Sequence, residues 1–454
     1  MFIKELSIKS YKNINNLKLT FNKPEIKYFD DMNLSIIVGE NGTGKSSILQ
    51  FMTQIFCPRD RYQYKQTVEN SKFSIEYELM GEMVEYNSNM NYPLEHPEKL
   101  IVSSYAVFDQ FASRYPSARP GNIDFDAPPE TSYIYSGPAI ARTSTLEPLI
   151  YAFLQAIYLP EALVKNKGSY KRLLDRIGFK KVAFIEIAQE NKVVRSEYNR
   201  MYGLAKDDSV PELDLLIDSL KTMKIDARTL NKDMKLDSLK AGLNYIVTPE
   251  MLKLHLEELL RKIIYQVMHI GIKNIWLESN DGKYVRLTDL SSGELTMLYR
   301  FLPLITNIDE NSVVFIDEPE THLHPVWIQK FVEYLAELFS EYKTHFILAT
   351  HSPLIVSDVP MECIVGLKKN ENQILQYEPK DRTLGGSSNN ILRDVFSLKT
   401  TSGVFSSKQI SELEKLLASN HTDRIEDARI MFDDLSTTAK KFEIYKKYRN
   451  ILGD

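Results

Sequence analysis

Residues 39–47 read Gly39, Glu40, Asn41, Gly42, Thr43, Gly44, Lys45, Ser46 and Ser47, a full match to the spacing G-x-x-x-x-G-K-[ST]. A short apolar run, NLSIIV at 33–38, leads into it, and a helical pattern, SSILQFMTQIF, leads out. In that setting consecutive backbone N–H groups cradle the α- and β-phosphates of a nucleotide. The helix N-terminus adds positive potential. Lys45 then reaches the β- and γ-phosphates, and the Ser46 hydroxyl ligates Mg²⁺. The stretch predicts a bound nucleotide with Mg²⁺. Taken alone, it also reads as a glycine-rich turn that binds nothing.

Three further patterns bear on that choice. Val313–Val314–Phe315–Ile316 is an apolar run that ends in Asp317 and Glu318. Asp317 is placed to organise Mg²⁺ and its waters, and Glu318, one residue on, to polarise an attacking water. Leu290–Ser291–Ser292–Gly293–Glu294 precedes a helical run, LTMLYRFLPLI. Ser291 and Glu294 have the spacing of a capping box, and a cap also offers N–H groups and a serine hydroxyl to an anion. His351 follows HFILAT at 345–350. It reads either as a loop histidine or as a sensor of the γ-phosphate.

Such residues need a sheet to hold them. SVVFID at 312–317 and HFILAT lack alternation, as strands buried on both faces do, and WIQKFVEYLAELFS between them reads as one helix. That order predicts an α/β fold around a mostly parallel sheet. Residues 2–9 and 16–21 read as a strand pair, FSIEYELMGEMVEY at 73–86 as a hairpin, and NIWLES with KYVRL as another. Helical segments are predicted near 146–166, 169–178, 211–223 and 249–269, and two or three short ones over 406–452. None sustains the heptads of a long coiled-coil arm.

The 454 residues correspond to about three domains at ~150 residues each. With 56 basic against 61 acidic residues the net charge is −5, at 26% charged and 43% hydrophobic. This is a globular composition that excludes a surface basic throughout but allows a local patch. Cys57 and Cys363 cannot make a disulfide framework, which fits a reducing compartment. The N-terminus lacks a signal-peptide core, and no run approaches 18 apolar residues, against an integral transporter. A cytoplasmic protein without membrane contact is expected.

Together the four motifs resemble the ATP-binding-cassette (ABC) fold, in its soluble branch of SMC, Rad50, RecF and OLD ATPases. The resemblance covers 1–57 and 272–370, and DEPETHLHP at 317–325 is close to the OLD-like run. It implies that ATP is sandwiched between two head-to-tail heads. Ser292 and Gly293 would act in trans on nucleotide held by Gly39–Ser46, with Glu318 as general base and His351 as switch histidine. Tyr11–Lys12 matches the family's aromatic-basic pair, which places Lys12 near the nucleotide. Gln110 is the candidate for the Q-loop glutamine and a Mg²⁺ contact beside Ser46 and Asp317. His322 and His324 are expected to shape the dimer-facing loop rather than bind metal. The implied plan is a discontinuous head (1–57 and 272–400), an inserted, mainly helical domain (58–271) and a C-terminal helical segment for a partner or oligomerisation (401–454).

The loop and the signature lie about 245 residues apart, too few for a Rad50-type arm. About 100 residues follow His351, without the carboxylate cluster of a Toprim nuclease, so the chain is not expected to be the nuclease itself. IVSSYAVFDQF at 101–111 and GGSSNNILRDVF resemble the ATPase subunit of Septu and retron-associated anti-phage systems. That resemblance implies a slow ATPase, a homodimer or higher oligomer, and a separate nuclease subunit. An HNH-type nuclease is favoured, and a Toprim-type one, as in PARIS, is the alternative. Nucleic acid contact is expected in the complex, and its candidates are Lys165, Lys167, Lys171, Arg172, Arg176, Lys180 and Lys181, opposed only by Glu161 and Asp175, with Arg114 and Arg119 as further candidates. Such residues neutralise backbone phosphate, although a solvated helix face has the same composition. A RecF- or Rad50-like repair ATPase that binds DNA directly is the alternative function.

Overall fold

The computed structural model describes residues 1–56, 71–90, 95–105, 111, 132–136, 146–158, 163–188, 244–250, 272–371, 373–379, 381–398, 403–419, 425–436 and 439–452. Gln110, Arg114, Arg119, the expected helix at 211–223 and all but the first two residues of that at 249–269 lie outside them. The chain divides into two units, Met1–Ser388 and Asn389–Asp454.

The first unit is built on a seven-stranded sheet. Its strands are β3 (Asn33–Gly39), β6 (Lys99–Ser104), β7 (Ser132–Ser136), β12 (Val313–Asp317), β13 (His345–Ala349), β14 (Ile364–Asn370) and β15 (Gln373–Tyr377). Their order is β15-β14-β3-β13-β12-β6-β7. All neighbours are parallel except the edge pair β14–β15. β13 lies between β3 and β12, so Ile37, Ala349, Asp317 and Ser104 stand in one register row. The segments after β3, β12 and β13 therefore emerge side by side at the carboxyl ends of the strands, where open α/β sheets bind ligands.

One face of this sheet is covered by α1 (Lys45–Phe56), in which every residue from Ile48 to Phe56 is buried. A helix buried all round needs a second cover. It is supplied by an antiparallel sheet of order β2-β1-β4-β5, made of β1 (Phe2–Tyr11), β2 (Ile14–Thr20), β4 (Phe73–Leu79) and β5 (Glu82–Asn87). Phe2, Leu6, Ile8, Leu17, Leu19 and Ile75 from that sheet join Ile48, Phe51, Ile55, Val102, Phe315 and Ile347 in one core. Residues 73–136, expected within the helical insertion, thus contribute four strands to the head. The reason is local: Phe73, Ile75, Tyr77 and Leu79 alternate inward to cover α1, and β6 is apolar because β12 and β7 flank it.

A third sheet, of order β11-β10-β8-β9, joins β8 (Phe179–Ala188), β9 (Asn244–Val247), β10 (Ile272–Ser279) and β11 (Tyr284–Arg286). Beside it α2 (Glu147–Ile157) and α3 (Val164–Arg176) pack on α4 (Ser292–Asn307). The helix expected over WIQKFVEYLAELFS is two, α5 (Pro325–Gln329) and α6 (Phe331–Phe339), broken at Lys330. The inner face of α3 satisfies helix ends that would otherwise lack partners. Asn166 donates to the carbonyls of Ile305 and Ile308, and Ser169 to that of Leu338. The outer face of α3 and the start of β8 are held by carboxylates. Lys165 pairs with Glu310, Arg172 with Glu341, Arg176 with Glu333 and Glu337, and Lys180 and Lys181 with Glu278. Among the described residues only Lys167 and Lys171 of the expected basic patch lack such a pair.

α7 (Pro353–Val356) follows β13, and α8 (Ser388–Asp394) begins at the unit boundary. The second unit begins at 389 rather than 401 and holds α9 (Val404–Ser419), α10 (Ile425–Asp433) and α11 (Ala439–Leu452). Leu413, Leu417, Ala428 and Ile444 form its own core. Val404, Phe405, Ile430 and Phe442 remain exposed. Among the described residues no helix is long and apolar enough to cross a membrane.

Candidate active site

The phosphate loop joins β3 to α1, as the spacing requires. A Cβ at Gly39 would lie 2.5 Å from the Leu367 carbonyl oxygen, so only glycine fits there. Gly44 has φ +83°, a left-handed conformation that L side chains adopt at a cost. Thr43 donates to the Glu40 carbonyl at 2.8 Å, and Asn13 to that of Gly42 at 3.0 Å, tying the β1–β2 turn to the loop. Lys12 donates to Gln50 on α1, so it stands in that same turn beside the loop. Glu40, Asn41 and Ser46 are exposed, Ser47 is half-buried, and Lys45 is buried. Lys45 donates to the carbonyls of Gly39 and Glu40 at 2.9 and 3.2 Å. Burial lowers its ammonium to about 8, against the attraction of Asp317, Glu320 and Glu318.

Across the register row, Ser46 donates to Asp317 Oδ1 at 2.9 Å. A hydroxyl and a buried carboxylate in contact are hard oxygen donors of the kind Mg²⁺ takes together with nucleotide phosphates. The loop and this pair fit ATP and Mg²⁺, with Ser46 and Asp317 as the residues that would hold the ion. Held there, Mg²⁺ would supply charge neutralisation on nucleotide phosphates. Glu318 has φ +51°, an uncommon conformation for a side-chain-bearing residue, while its N–H still donates to the Ala349 carbonyl at 2.9 Å. Its half-buried carboxylate accepts from Thr321 at 3.1 Å. His351 is also half-buried; burial and then the Lys45 charge lower its pKa, against the pull of Glu318. Asp317, Glu318, Lys45 and His351 therefore share one electrostatic neighbourhood.

Glu320 has no role in the sequence reading, yet both its oxygens are engaged. It accepts from the His351 N–H at 2.6 Å and the Thr350 hydroxyl at 2.8 Å. Burial raises its pKa.

The signature opens α4 with a complete capping box. Ser291 accepts from the Glu294 N–H at 3.3 Å, and the Ser291 N–H donates to Glu294 at 2.7 Å. The cap uses Ser291 and Glu294 and leaves Ser292 exposed at the helix N-terminus. A Cβ on Gly293 would meet the Trp327 indole nitrogen at 2.7 Å, so glycine is required for α5 to approach. His324 accepts from the Val326 N–H at 3.4 Å, the role of a cap, and exposed His322 has φ +62° in the same loop. Among the described residues no hydrogen bond links Ser292 or Gly293 to the phosphate loop.

Arg300, also unmarked by the sequence reading, is 2% exposed on α4. It donates to the carbonyls of Pro319 and Thr321 and lies over the Tyr105 ring, 3.7 Å from its centroid. Pro303 lacks the N–H that would bond the Tyr299 carbonyl, and the Tyr105 hydroxyl donates to that carbonyl at 3.3 Å. A lone arginine within an apolar helical run was the signal available for this residue.

The family described as "AAA domain, putative AbiEii toxin, Type IV TA system" matches residues 34–357. Among curated proteins, ea59 of Escherichia phage lambda is 34% identical over 122 residues, 27% of this chain and only 23% of that protein's length. The retron Vc95 probable ATPase of Vibrio cholerae is 23% identical over 86% of this chain and 78% of its own length. Septu protein PtuA of Bacillus thuringiensis is 23% identical over 95% and 93%. Among solved structures, the SMC head domain from Thermotoga maritima aligns at 15% identity and a TM-score of 0.33, covering 84% of this chain and 100% of that one. The chain belongs to the family that matches residues 34–357, as a P-loop ATPase similar to Septu and retron-associated ATPases.

Proposed function

We propose that this chain is the ATP-hydrolysing subunit of an anti-phage defence complex, in which two heads meet head to tail around nucleotide and organise a separate nuclease. The observation that carries the reading is the Ser46–Asp317 contact, with Lys45 and Glu318 alongside, in a head whose exposed Ser292 makes no bond to its own loop. One chain thus offers the Mg²⁺ and base half of a site, plus a serine-bearing helix N-terminus suited to a second chain's phosphates. Glu318 takes the proton of the attacking water, His351 contacts the γ-phosphate, and Ser292 with Gly293 complete the partner's site. Similarity over 86% and 95% of the chain to a retron ATPase and a Septu protein supports the defence setting. The 401–454 segment, with Val404, Phe405, Ile430 and Phe442 exposed, serves as the surface for an HNH-type nuclease or a further copy.

The test is the mass and composition of the native complex with and without ATP. ATP is expected to dimerise a Glu318→Gln variant, and Ser292→Arg to prevent this while leaving nucleotide binding to a single head. A Glu318→Gln variant that stays monomeric at saturating ATP overturns the sandwich. Loss of the nuclease subunit should follow truncation after residue 400, and its retention refutes that docking assignment.

A further inference from the structure

We propose that Glu320 is a positioning residue for hydrolysis, fixing the turn that carries His351, and that Arg300 links this turn to the signature helix. The proposal rests on the ATPase reading above and gives a role to a residue of the 317–325 run that has none in it.

Both carboxylate oxygens of Glu320 are directed at the turn after β13, one to the His351 N–H at 2.6 Å and one to the Thr350 hydroxyl at 2.8 Å. The Thr350 oxygen also accepts from the Ser352 N–H at 2.9 Å, so one carboxylate organises three successive residues. Bonds to a charged acceptor are the strong ones, and here they hold the backbone of a residue whose ring shares a field with Lys45 and Glu318. Glu320 is itself gripped from behind. Arg300 donates to the carbonyls on either side of it, Pro319 and Thr321. Arg300 lies eight residues after Ser292 on the same helix, locked over Tyr105, whose hydroxyl takes the carbonyl freed by Pro303. A buried polar chain therefore runs from α4 through Arg300 and the 319–321 backbone to Glu320 and His351. Its α4 end faces the partner's nucleotide in the proposed dimer, and its His351 end faces the chain's own.

Simple packing is a poor account of Arg300. Its Nε has no hydrogen-bond partner among the described residues, and an apolar side chain fills such a site without the desolvation penalty of a guanidinium.

The test uses the full chain without nucleotide first. Amide hydrogen exchange at His351 should accelerate about 10–100-fold in Glu320→Ala, the loss expected for one charge-assisted bond. Glu320→Gln, which keeps an acceptor for this N–H, should stay within about threefold of the parent. Arg300→Met, which touches neither partner of that bond, should accelerate it by about tenfold. With ATP, Glu320→Ala should lower kcat about 10–100-fold with KM little changed, and Glu320→Gln should restore most of it. Unchanged His351 exchange or unchanged kcat in folded Glu320→Ala overturns the positioning role. Unchanged exchange in Arg300→Met overturns the link to the signature helix. Should Glu320→Ala not fold, Thr350→Val removes one of the two bonds and must shift both readouts the same way, or the role falls. A parent chain that does not turn over ATP refutes the ATPase reading, whereas the exchange arm still decides whether Glu320 holds the turn.

Discussion

The two ends of β13 carry a histidine each, put to opposite uses. His345 opens the strand with no exposed surface, and both ring nitrogens are engaged. Nδ1 accepts the Ile3 N–H at 3.0 Å, which leaves the proton on Nε2, 2.9 Å from the Ser35 oxygen. That ring fastens β1 to the main sheet in one neutral form. His351, just past the other end, is half-buried, held through its backbone and surrounded by Lys45 and Glu318. At the amino end of β13 the histidine ring is engaged on both sides; at the carboxyl end the histidine is held through its backbone N–H. Under the proposed function the same residue type is structural where its ring makes the bonds and functional where its backbone does.

The comparison is broken most directly at the carboxyl end. Glu318→Gln should lower kcat about 10²–10⁴-fold, the usual worth of a positioned base, with the melting temperature unchanged. Steady-state ATP turnover beside a thermal melt checks both. A parental rate would remove Glu318 from the reaction. At the amino end the outcome should invert. His345→Ala leaves the Ile3 N–H and the Ser35 hydroxyl buried without partners, for a loss of about 2–3 kcal/mol in denaturant unfolding. Turnover per folded molecule should be retained, and a selective loss of kcat would show the two ends to be coupled.

Acid sharpens the same contrast. Burial holds His345 neutral well below its ordinary value of 6.5, so the unfolded chain binds a proton there that the folded chain does not. Its contribution to stability is intact above about pH 6.5 and is lost as pH falls, by at most ~1.4 kcal/mol per pH unit. Protonation would set a second N–H against that of Ile3. Unfolding free energy from pH 7.5 to 5 should therefore fall less steeply in His345→Asn than in the parent. Equal slopes would discount His345 as the origin.

Much of the nucleotide site was legible because its signals are local. A glycine-rich loop between strand and helix, carboxylates ending an apolar strand and a capping box are each complete within about ten residues. Glu320 and His345 were not legible because their partners arrive through sheet register, the first from the pairing of Asp317 with Ala349 and the second from the approach of β1 to β13. The hairpin at 73–86 was readable from alternation, but its assignment to the head depends on pairing with β1, some seventy residues upstream. The broken helix at Lys330 and the start of the second unit at 389 had no comparable local mark.

The smallest expected effect concerns the basic face of α3, which the fold anchors beside the amino ends of the strands. Lys165 pairs with Glu310 just before β12, and Arg172 with Glu341 just before β13. Arg176 reaches Glu333 and Glu337 on α6. These pairs are solvent-exposed, so Arg176→Ala should change stability by only about 0.2–1 kcal/mol and leave ATP turnover alone. Their charge is already neutralised, which favours a solvated structural face over a phosphate track. Reversal of Lys171 and Arg172 to Glu tests this against the DNA-clamp alternative. Duplex affinity, measured across salt concentrations, should change less than about threefold. A tenfold loss with a shallower salt dependence would place a functional surface at the structural end of the sheet, and the division between the two ends would fail there.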